Sequence, residues 1–261
     1  MFESNMAVLV MNERQKNIND FIQGKSEVTL SDLKELVPNV SEMTIRRDLE
    51  ALENEGRIVR VHGGARSLKA LNMLVEDAFA KRSAANVEKK ILISKKALKF
   101  IEDNSSVYID AGSTTMTLAE MLPDKNLLIS TCGLNIAAEL LKKKNGRVNL
   151  IGGEVSKNSI STYGPNARAA IENINIDVAF IASTAFSEKH GFSCGNVYDC
   201  ELKREILKKA TLRIMLMDSS KIGTSMPYTF AQCSDIDVLI TDDGISNELR
   251  SFFIENGTEV L

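Results

Sequence analysis

SEMTIRRDLEALENEGRIVRVHGGA, residues 41–65, has helical period in its first half and strand-like alternation in its second. Ile45, Leu49 and Leu52 recur at three- and four-residue intervals and so share one face of a helix. Ser41 stands where an N-cap belongs, and Gly56 where a helix stops. IVRV then alternates apolar with basic and meets His62-Gly63-Gly64, which reads as strand, turn, strand. Upstream, Ile18, Phe21 and Ile22 run up to Gly24, and Leu30, Leu33, Leu36 and Val37 run up to Pro38. Both stretches predict short helices. Three helices and a hairpin predict a winged helix-turn-helix over residues 12–68.

The other face of the third helix carries Met43, Thr44, Arg46, Arg47 and Glu50. An arginine pair on an arbitrary helix is a solvated face with a few salt bridges. Here the pair falls in the first two turns, after a short helix and a tight turn, where a recognition helix meets base edges. Residues 56–69 hold Arg57, Arg60, Arg66 and Lys69 with no Asp or Glu. That places Arg57, Arg60, His62 and Arg66 toward backbone phosphates. Arginine at a guanine edge gives bidentate readout, and cations at phosphates give salt-dependent affinity. The expected partner is double-stranded DNA.

Composition narrows the alternatives. The net charge of -3 opposes indiscriminate nucleic-acid binding and leaves room for a local basic footprint. Tryptophan is absent and aromatics are few, which disfavours a base-stacking single-strand binder. No apolar run reaches the length of a membrane-spanning helix. The start, MFESNMAVLVM, lacks a basic region and a small-residue cleavage site, so secretion is not expected. Cys132, Cys194, Cys200 and Cys233 never approach CxxC spacing and there are two histidines. No metal or other cofactor is expected, and reduced thiols point to the cytoplasm.

From residue 69 to 90 the chain is polar without a clear period and is read as a linker, with one helix running through KRSAANVEKKILISKKALKFI. Beyond it, over residues 91–261, strand runs alternate with helical ones. VYID precedes TMTLAEML, LLIS precedes LNIAAELLKKK, and VNLI leads to Gly152-Gly153-Glu154. VAFIA, ELKREILKKA, RIMLMD, VLIT and ELRSFFIEN follow. The alternation predicts an α/β domain with a mostly parallel sheet covered on both faces.

Several strand-end loops share one chemistry. Asp110 leads through Gly112 and Ser113 into a helix opening with Thr114 and Thr115, a turn whose N–H groups and hydroxyls suit an anion. Such residues also cap helices anywhere. Thr131-Cys132-Gly133, Gly153 and the Asp218-to-Lys221 run add matching loops, which a parallel sheet gathers at its carboxyl edge. Lys203 and Lys221 are candidate phosphate partners, and Asp110 and Asp218 candidate acceptors for sugar hydroxyls. For Lys203 the competing reading is a solvated helix lysine.

MNERQKNI, the run VSEMTIRRDLEALENEGRIVRVHGGA, DAGSTT and DSSK resemble the DeoR family of bacterial sugar-operon regulators, over nearly the whole chain from Met11. The resemblance implies a winged helix-turn-helix joined to an effector domain similar in fold to ribose-5-phosphate isomerase. It implies a repressor relieved by a phosphorylated sugar; separately, helix-turn-helix proteins usually meet two half-sites as dimers, so a homo-oligomer, dimer or tetramer, is expected on the operator. It carries the DNA contacts to Ser41, Thr44, Arg46, Arg47 and the wing from Arg57 to Arg66, and strengthens Lys203 and Lys221 as phosphate partners. Residues 1–11 become an extension before the family pattern.

Two departures bear on function. Isomerases of the similar fold carry an acidic run, and the family Gly-Ala-Asp-Gly, where this chain has Ser183-Thr184-Ala185-Phe186. An isomerase needs a positioned carboxylate base, so no catalytic residues are expected. The alternative, a sugar-phosphate enzyme with an appended DNA module, loses its base there. A second half serving only for oligomerisation would leave the Gly/Ser/Thr/Lys loops without a role. Cys132-Gly133, where relatives read Asn-Ser, suggests an altered sugar-contacting surface.

Overall fold

A computed structural model of the chain describes residues 11–25, 27–55, 57–61, 63–67 and 77–261. The expectations for residues 1–10, for Gly56, for His62 and for residues 68–76 of the linker lie outside them. The chain divides into two compact units, residues 1–75 and 76–261.

In the first unit, helix α1 (Glu13–Lys25) is followed by β1 (Glu27–Thr29), α2 (Leu30–Leu36), α3 (Glu42–Asn54), β2 (Ile58–Val61) and β3 (Gly64–Ser67). The helical positions named above make its core: Ile18, Ile22, Leu33, Ile45, Leu49 and Leu52 are buried with Val28, Ile58 and Ala65. Leu36 stays partly exposed at the end of α2. Thr29 and Asp32 cap α2 reciprocally, and Ser41 caps α3 through the Thr44 N–H. The wing has three strands, in the order β1-β3-β2, because Val28 pairs with Ala65 as well as the hairpin strands with each other. That order explains both wing glycines. Gly63 turns at φ +81, and a Cβ on Gly64 would lie 2.0 Å from the Val28 carbonyl oxygen.

In the second unit, α4 (Phe79–Ala84) and α5 (Val87–Ala97) precede a seven-stranded sheet. The single helix expected through residues 81–101 is therefore broken, because Asn86 sits in the left-handed region at φ 53. Its strands are β4 (Ser106–Ile109), β5 (Leu128–Thr131), β6 (Arg147–Leu150), β9 (Ile176–Ala182), β12 (Ala210–Leu216), β14 (Val238–Ile240) and β15 (Glu259–Val260). All neighbours in the sheet are parallel. Successive residues feed two cores: Val178, Phe180, Ile214 and Leu216 face one, and Ala179, Ile181, Met215 and Met217 the other. Helices α5, α6 (Ser113–Met121) and α7 (Leu134–Leu140) cover the first. Helices α8 (Pro165–Ile171), α9 (Val197–Lys209) and α10 (Asn247–Glu255) cover the second. A hairpin of β7 (Glu154–Ser156) and β8 (Ser161–Tyr163), and an antiparallel sheet of β10 (Ala185–Ser187), β11 (Gly191–Cys194) and β13 (Tyr228–Ala231), complete the unit.

The strand order β15-β14-β12-β9-β4-β5-β6 fixes where a ligand belongs. From β4 the chain builds outward through β5 and β6, then returns to β9 and builds the other way. The switch point is the crevice beyond the carboxyl ends of β4 and β9, where neighbouring connections diverge.

Candidate functional site

On the first unit, α3 presents Met43, Arg46, Arg47 and Glu50 to solvent, opposite the buried Ile45, Leu49 and Leu52. The Arg46 guanidinium donates to Glu42 at 3.2 and 2.7 Å. Arg57 donates to Glu55 at 2.7 Å. Arg60 donates to Glu53 at 2.7 Å through its side chain and at 2.8 Å through its N–H, tying the wing to α3. The Arg60 N–H, and then its guanidinium, hold the Glu53 carboxyl below its ordinary range. Arg47 has no such ion pair among the described residues. Ser41 and Thr44 are spent partly on the helix start, since the Ser41 hydroxyl accepts the Thr44 N–H at 3.2 Å. Arg66 contributes to β3.

One residue of this unit was not legible in the sequence. Asp48 lies on the buried side of α3 and receives Arg14 of α1 at 2.6 and 3.1 Å, with Gln15 at 3.2 Å. This pair sets α3 against α1, and with it the angle at which the arginine face is presented.

In the second unit, a narrow cleft opens at the switch point, lined by Arg82, Ser113, Thr114, Ala182, Ser183, Thr184, Met217, Asp218 and Lys221. It is tight as it stands, a cavity of about 20 Å³. Gly112 takes the N-cap position of α6 with no side-chain cap, so the first N–H groups of that helix have no side-chain partner there. A Cβ on Gly112 would meet Ala182 Cβ at 2.7 Å, so only glycine lets β4 and β9 approach this closely at the helix start. Among the described residues, the Ser113 and Thr114 hydroxyls donate no hydrogen bond within the protein, and Lys221 forms no ion pair. Thr115, by contrast, is buried and donates to the Gly112 carbonyl at 3.0 Å.

Beneath the cleft lies a buried ion pair. Lys203 on α9 donates to Asp110 at the end of β4, and to the Ala182 carbonyl at 3.1 Å. Asp110 also accepts the Ala182 N–H at 3.0 Å. The two side chains are 4% and 1% exposed. Burial pulls the Lys203 ammonium down, yet the Asp110 and Asp199 carboxylates outweigh it and hold the pKa above the ordinary lysine value. Lys203 is neither solvated nor open to the cleft; it fixes β4 to β9 from below. Tyr108 donates to Cys132 Sγ at 3.1 Å in the same layer, and burial, helped by Asp110, pushes the Cys132 thiol up to about 12. Such a thiol is inert packing.

The Asp218-to-Lys221 loop is held from two sides. Asp242 at the end of β14 accepts the Ser219 N–H at 2.7 Å and its hydroxyl at 2.8 Å. Burial raises the Asp242 carboxyl, but these bonds and Lys89 carry it down to about 2. From the other side, Asn86 donates to Asp218 at 3.1 Å and to Ser220 at 2.9 Å.

The structure thus gathers Ser113, Thr114, Asp218 and Lys221 in one cleft. Asp110, Thr115 and Lys203 form its buried support. Thr131, Cys132, Gly133 and Gly153 lie outside the lining, where Thr162 of the β7–β8 hairpin donates its N–H to the Cys132 carbonyl at 2.8 Å. Arg82 also lines the cleft, from a polar stretch with no period to single it out. Among the described residues, no cluster could hold a metal ion and no helix is long and apolar enough to cross a membrane.

Comparison with known proteins agrees with this division. The family model of a DeoR-like helix-turn-helix domain matches residues 14–70, and that of a DeoR C-terminal sensor domain matches residues 85–243. The chain is 35% identical over 249 residues to the HTH-type transcriptional regulator GolR of Listeria innocua, covering 95% of this chain and 97% of that one. It is 30% identical to a putative aga operon transcriptional repressor of Escherichia coli O157:H7, covering 95% and 93%. It is also 30% identical to the HTH-type transcriptional repressor GlcR of Bacillus subtilis, covering 95% of each. Among solved structures, ribose 5-phosphate isomerase A of Methanocaldococcus jannaschii aligns with a TM-score of 0.39 at 14% identity, over 53% of this chain and 55% of that one.

Proposed function

We propose, from the premise that this chain belongs to the DeoR family of DNA-binding transcriptional regulators, that it represses a sugar-utilisation operon and is released by a phosphorylated sugar bound at the β4/β9 switch point. The observation that carries the effector reading is the meeting of an uncapped helix N-terminus, two hydroxyls and two cations, Arg82 and Lys221, in one cleft. A phosphoryl group supplies acceptors for all of them. The sugar hydroxyls then fall toward Asp218 and Ser183. Asn86 and Ser220 donate to Asp218 Oδ1 and so hold this carboxylate in place to accept from a sugar hydroxyl.

On the DNA side, Arg46 and Arg47 read base edges while Arg57, Arg60, His62 and Arg66 meet phosphates, with Ser41 and Thr44 at the helix start. Two copies on a two-fold operator follow from helix-turn-helix geometry. A ligand that favours one arrangement of the paired units by about 1 to 3 kcal/mol lowers operator affinity up to about a hundred-fold. The test is a titration of sugar phosphates into the operator complex, wild type beside Lys221→Ala. Release of the wild type and retention of operator by the variant are expected; if no sugar phosphate changes wild-type affinity, the effector reading fails.

A further inference from the structure

Helix α4 is the first described element after the stretch that joins the two units, and it carries Arg82. None of its residues is fully buried, and Phe79, Arg82 and Ser83 are only half-buried, so packing holds it weakly. Hydrogen bonds fasten its two ends, and within the segment Arg82 Nε donates to the Asp77 carbonyl at 2.9 Å and Lys81 to the Asp77 carboxylate at 3.0 Å. At its start, the Phe79 N–H donates to the Asn158 carbonyl at 2.8 Å, in the turn of the β7–β8 hairpin. The same turn holds Ile160 at φ 53, an uncommon conformation for a β-branched residue, and Ile160 accepts the Leu134 N–H at 2.9 Å. Just beyond its end, Asn86 donates to Asp218 and Ser220 of the cleft loop, and Lys89 to Ser219 at 2.7 Å. Buried Lys90 donates to the carbonyls of Arg82 and Ala85, closing the C-terminal end of the helix.

Arg82 lies between these two fastenings and lines the cleft beside Ser113, Thr114 and Lys221. A segment with no buried side chain, held at its ends by polar contacts, sits at the low end of local stability and is readily biased by one additional contact. A ligand anion in the cleft offers the guanidinium a planar, two-pronged acceptor.

We propose that Arg82 is an anion-binding residue of the effector site, and that α4 is a strap tightened over the cleft when that anion is bound. This rests on the reading that the cleft takes a phosphorylated effector, and adds to it the residue through which occupancy reaches the connection to the DNA-binding unit. Lys221 fixes the anion to the sheet; Arg82 fixes the strap to the anion.

The experiment uses the full chain and five probes: inorganic phosphate, ribose 5-phosphate, fructose 6-phosphate, and unphosphorylated ribose and fructose. Melting temperature and calorimetry report binding, and hydrogen exchange reports the amides of residues 79–90. A phosphorylated probe that binds the wild type is expected to slow exchange in residues 79–84 at least tenfold. Arg82→Gln should lose at least tenfold in affinity for that probe with its ligand-free melting temperature unchanged, and Arg82→Lys should recover part of the loss. Equal binding by Arg82→Gln would overturn the inference and leave the effector reading standing. Should Arg82→Gln unfold early, the wild-type exchange decides: a bound probe that leaves residues 79–84 unprotected overturns it. If no phosphorylated probe binds the wild type, the effector reading falls first and this inference with it.

Discussion

The charges around the two candidate sites are placed in opposite ways. On the first, Arg46, Arg57 and Arg60 stand in solvent, each beside a glutamate that is itself exposed or partly so. In the second, Lys203 and Asp110 are sealed beneath the cleft at 4% and 1% exposure. Exposed pairs are worth little and exchange partners easily, so those arginines are available to a polyanion at small cost. A buried pair has no such freedom, because either charge left alone stays desolvated. Ion pairs therefore leave the basic side chain available in one place and fix the fold in the other, and burial decides which.

The largest test of that contrast is Lys203→Met. It leaves Asp110 buried without its cation and should cost about 3–5 kcal/mol of stability. Thermal unfolding of the full chain measures it, and Lys203→Met with Asp110→Asn should recover most of the loss. A single variant that melts like the wild type would mean that the pair is hydrated, and the contrast would collapse.

How much of this was readable beforehand follows from the range of each interaction. Ile45, Leu49 and Leu52 betray their helix because their period is local, and the exposed arginines follow from the same wheel. The parallel sheet was legible from runs such as VAFIA and RIMLMD, whose strands are buried on both faces. The Lys203–Asp110 pair joins residues 93 positions apart, and nothing near either one in the sequence announces the other. Arg82 escaped notice because α4 buries no residue fully and so has no apolar period. β1, three residues long, and the small sheet of β10, β11 and β13 are too short to alternate visibly.

Arg47 comes next in size. Replacing it with Ala should weaken operator binding by about 1 to 3 kcal/mol if it makes a bidentate base contact. The melting temperature should not move, since the side chain is exposed and makes no ion pair among the described residues. Arg46→Ala should behave similarly, less the effect of freeing Glu42. Quantitative gel shifts on specific and scrambled duplexes separate base reading from phosphate contact, and unchanged specific affinity in both variants would break the recognition assignment.

A pH experiment sharpens the other side. The Asp242 carboxyl is depressed from 3.8 to about 2 in the folded chain. Its stabilisation is therefore complete above the unfolded value and is lost as pH falls through about 2; it amounts to at most about 2 kcal/mol. Melting curves between pH 5 and pH 2 should fall more steeply for the wild type than for Asp242→Asn. Parallel curves would show that the clamp on Ser219 does not depend on charge.

The smallest effect is expected at Glu53, where the two roles of charge meet. Its carboxylate accepts both the N–H and the guanidinium of Arg60, orienting the wing against α3 while occupying a cation that DNA would use. Glu53→Gln keeps an oxygen for the N–H and removes the competing charge. Stability should stay within experimental error, because the pair is exposed. Operator affinity should rise a few-fold at low salt, and the slope of log affinity against log salt should steepen by about one, as for one more phosphate neutralised. At high salt the gain should vanish. The sign is what matters: were Arg60 held by Glu53 in the complex as well, Glu53→Gln would loosen the wing and affinity would fall at every salt concentration. A fall of that kind would mean that the glutamate partners of this surface are built into the DNA-bound form, and that the wing resembles the buried pair of the sensor more than its exposure suggests.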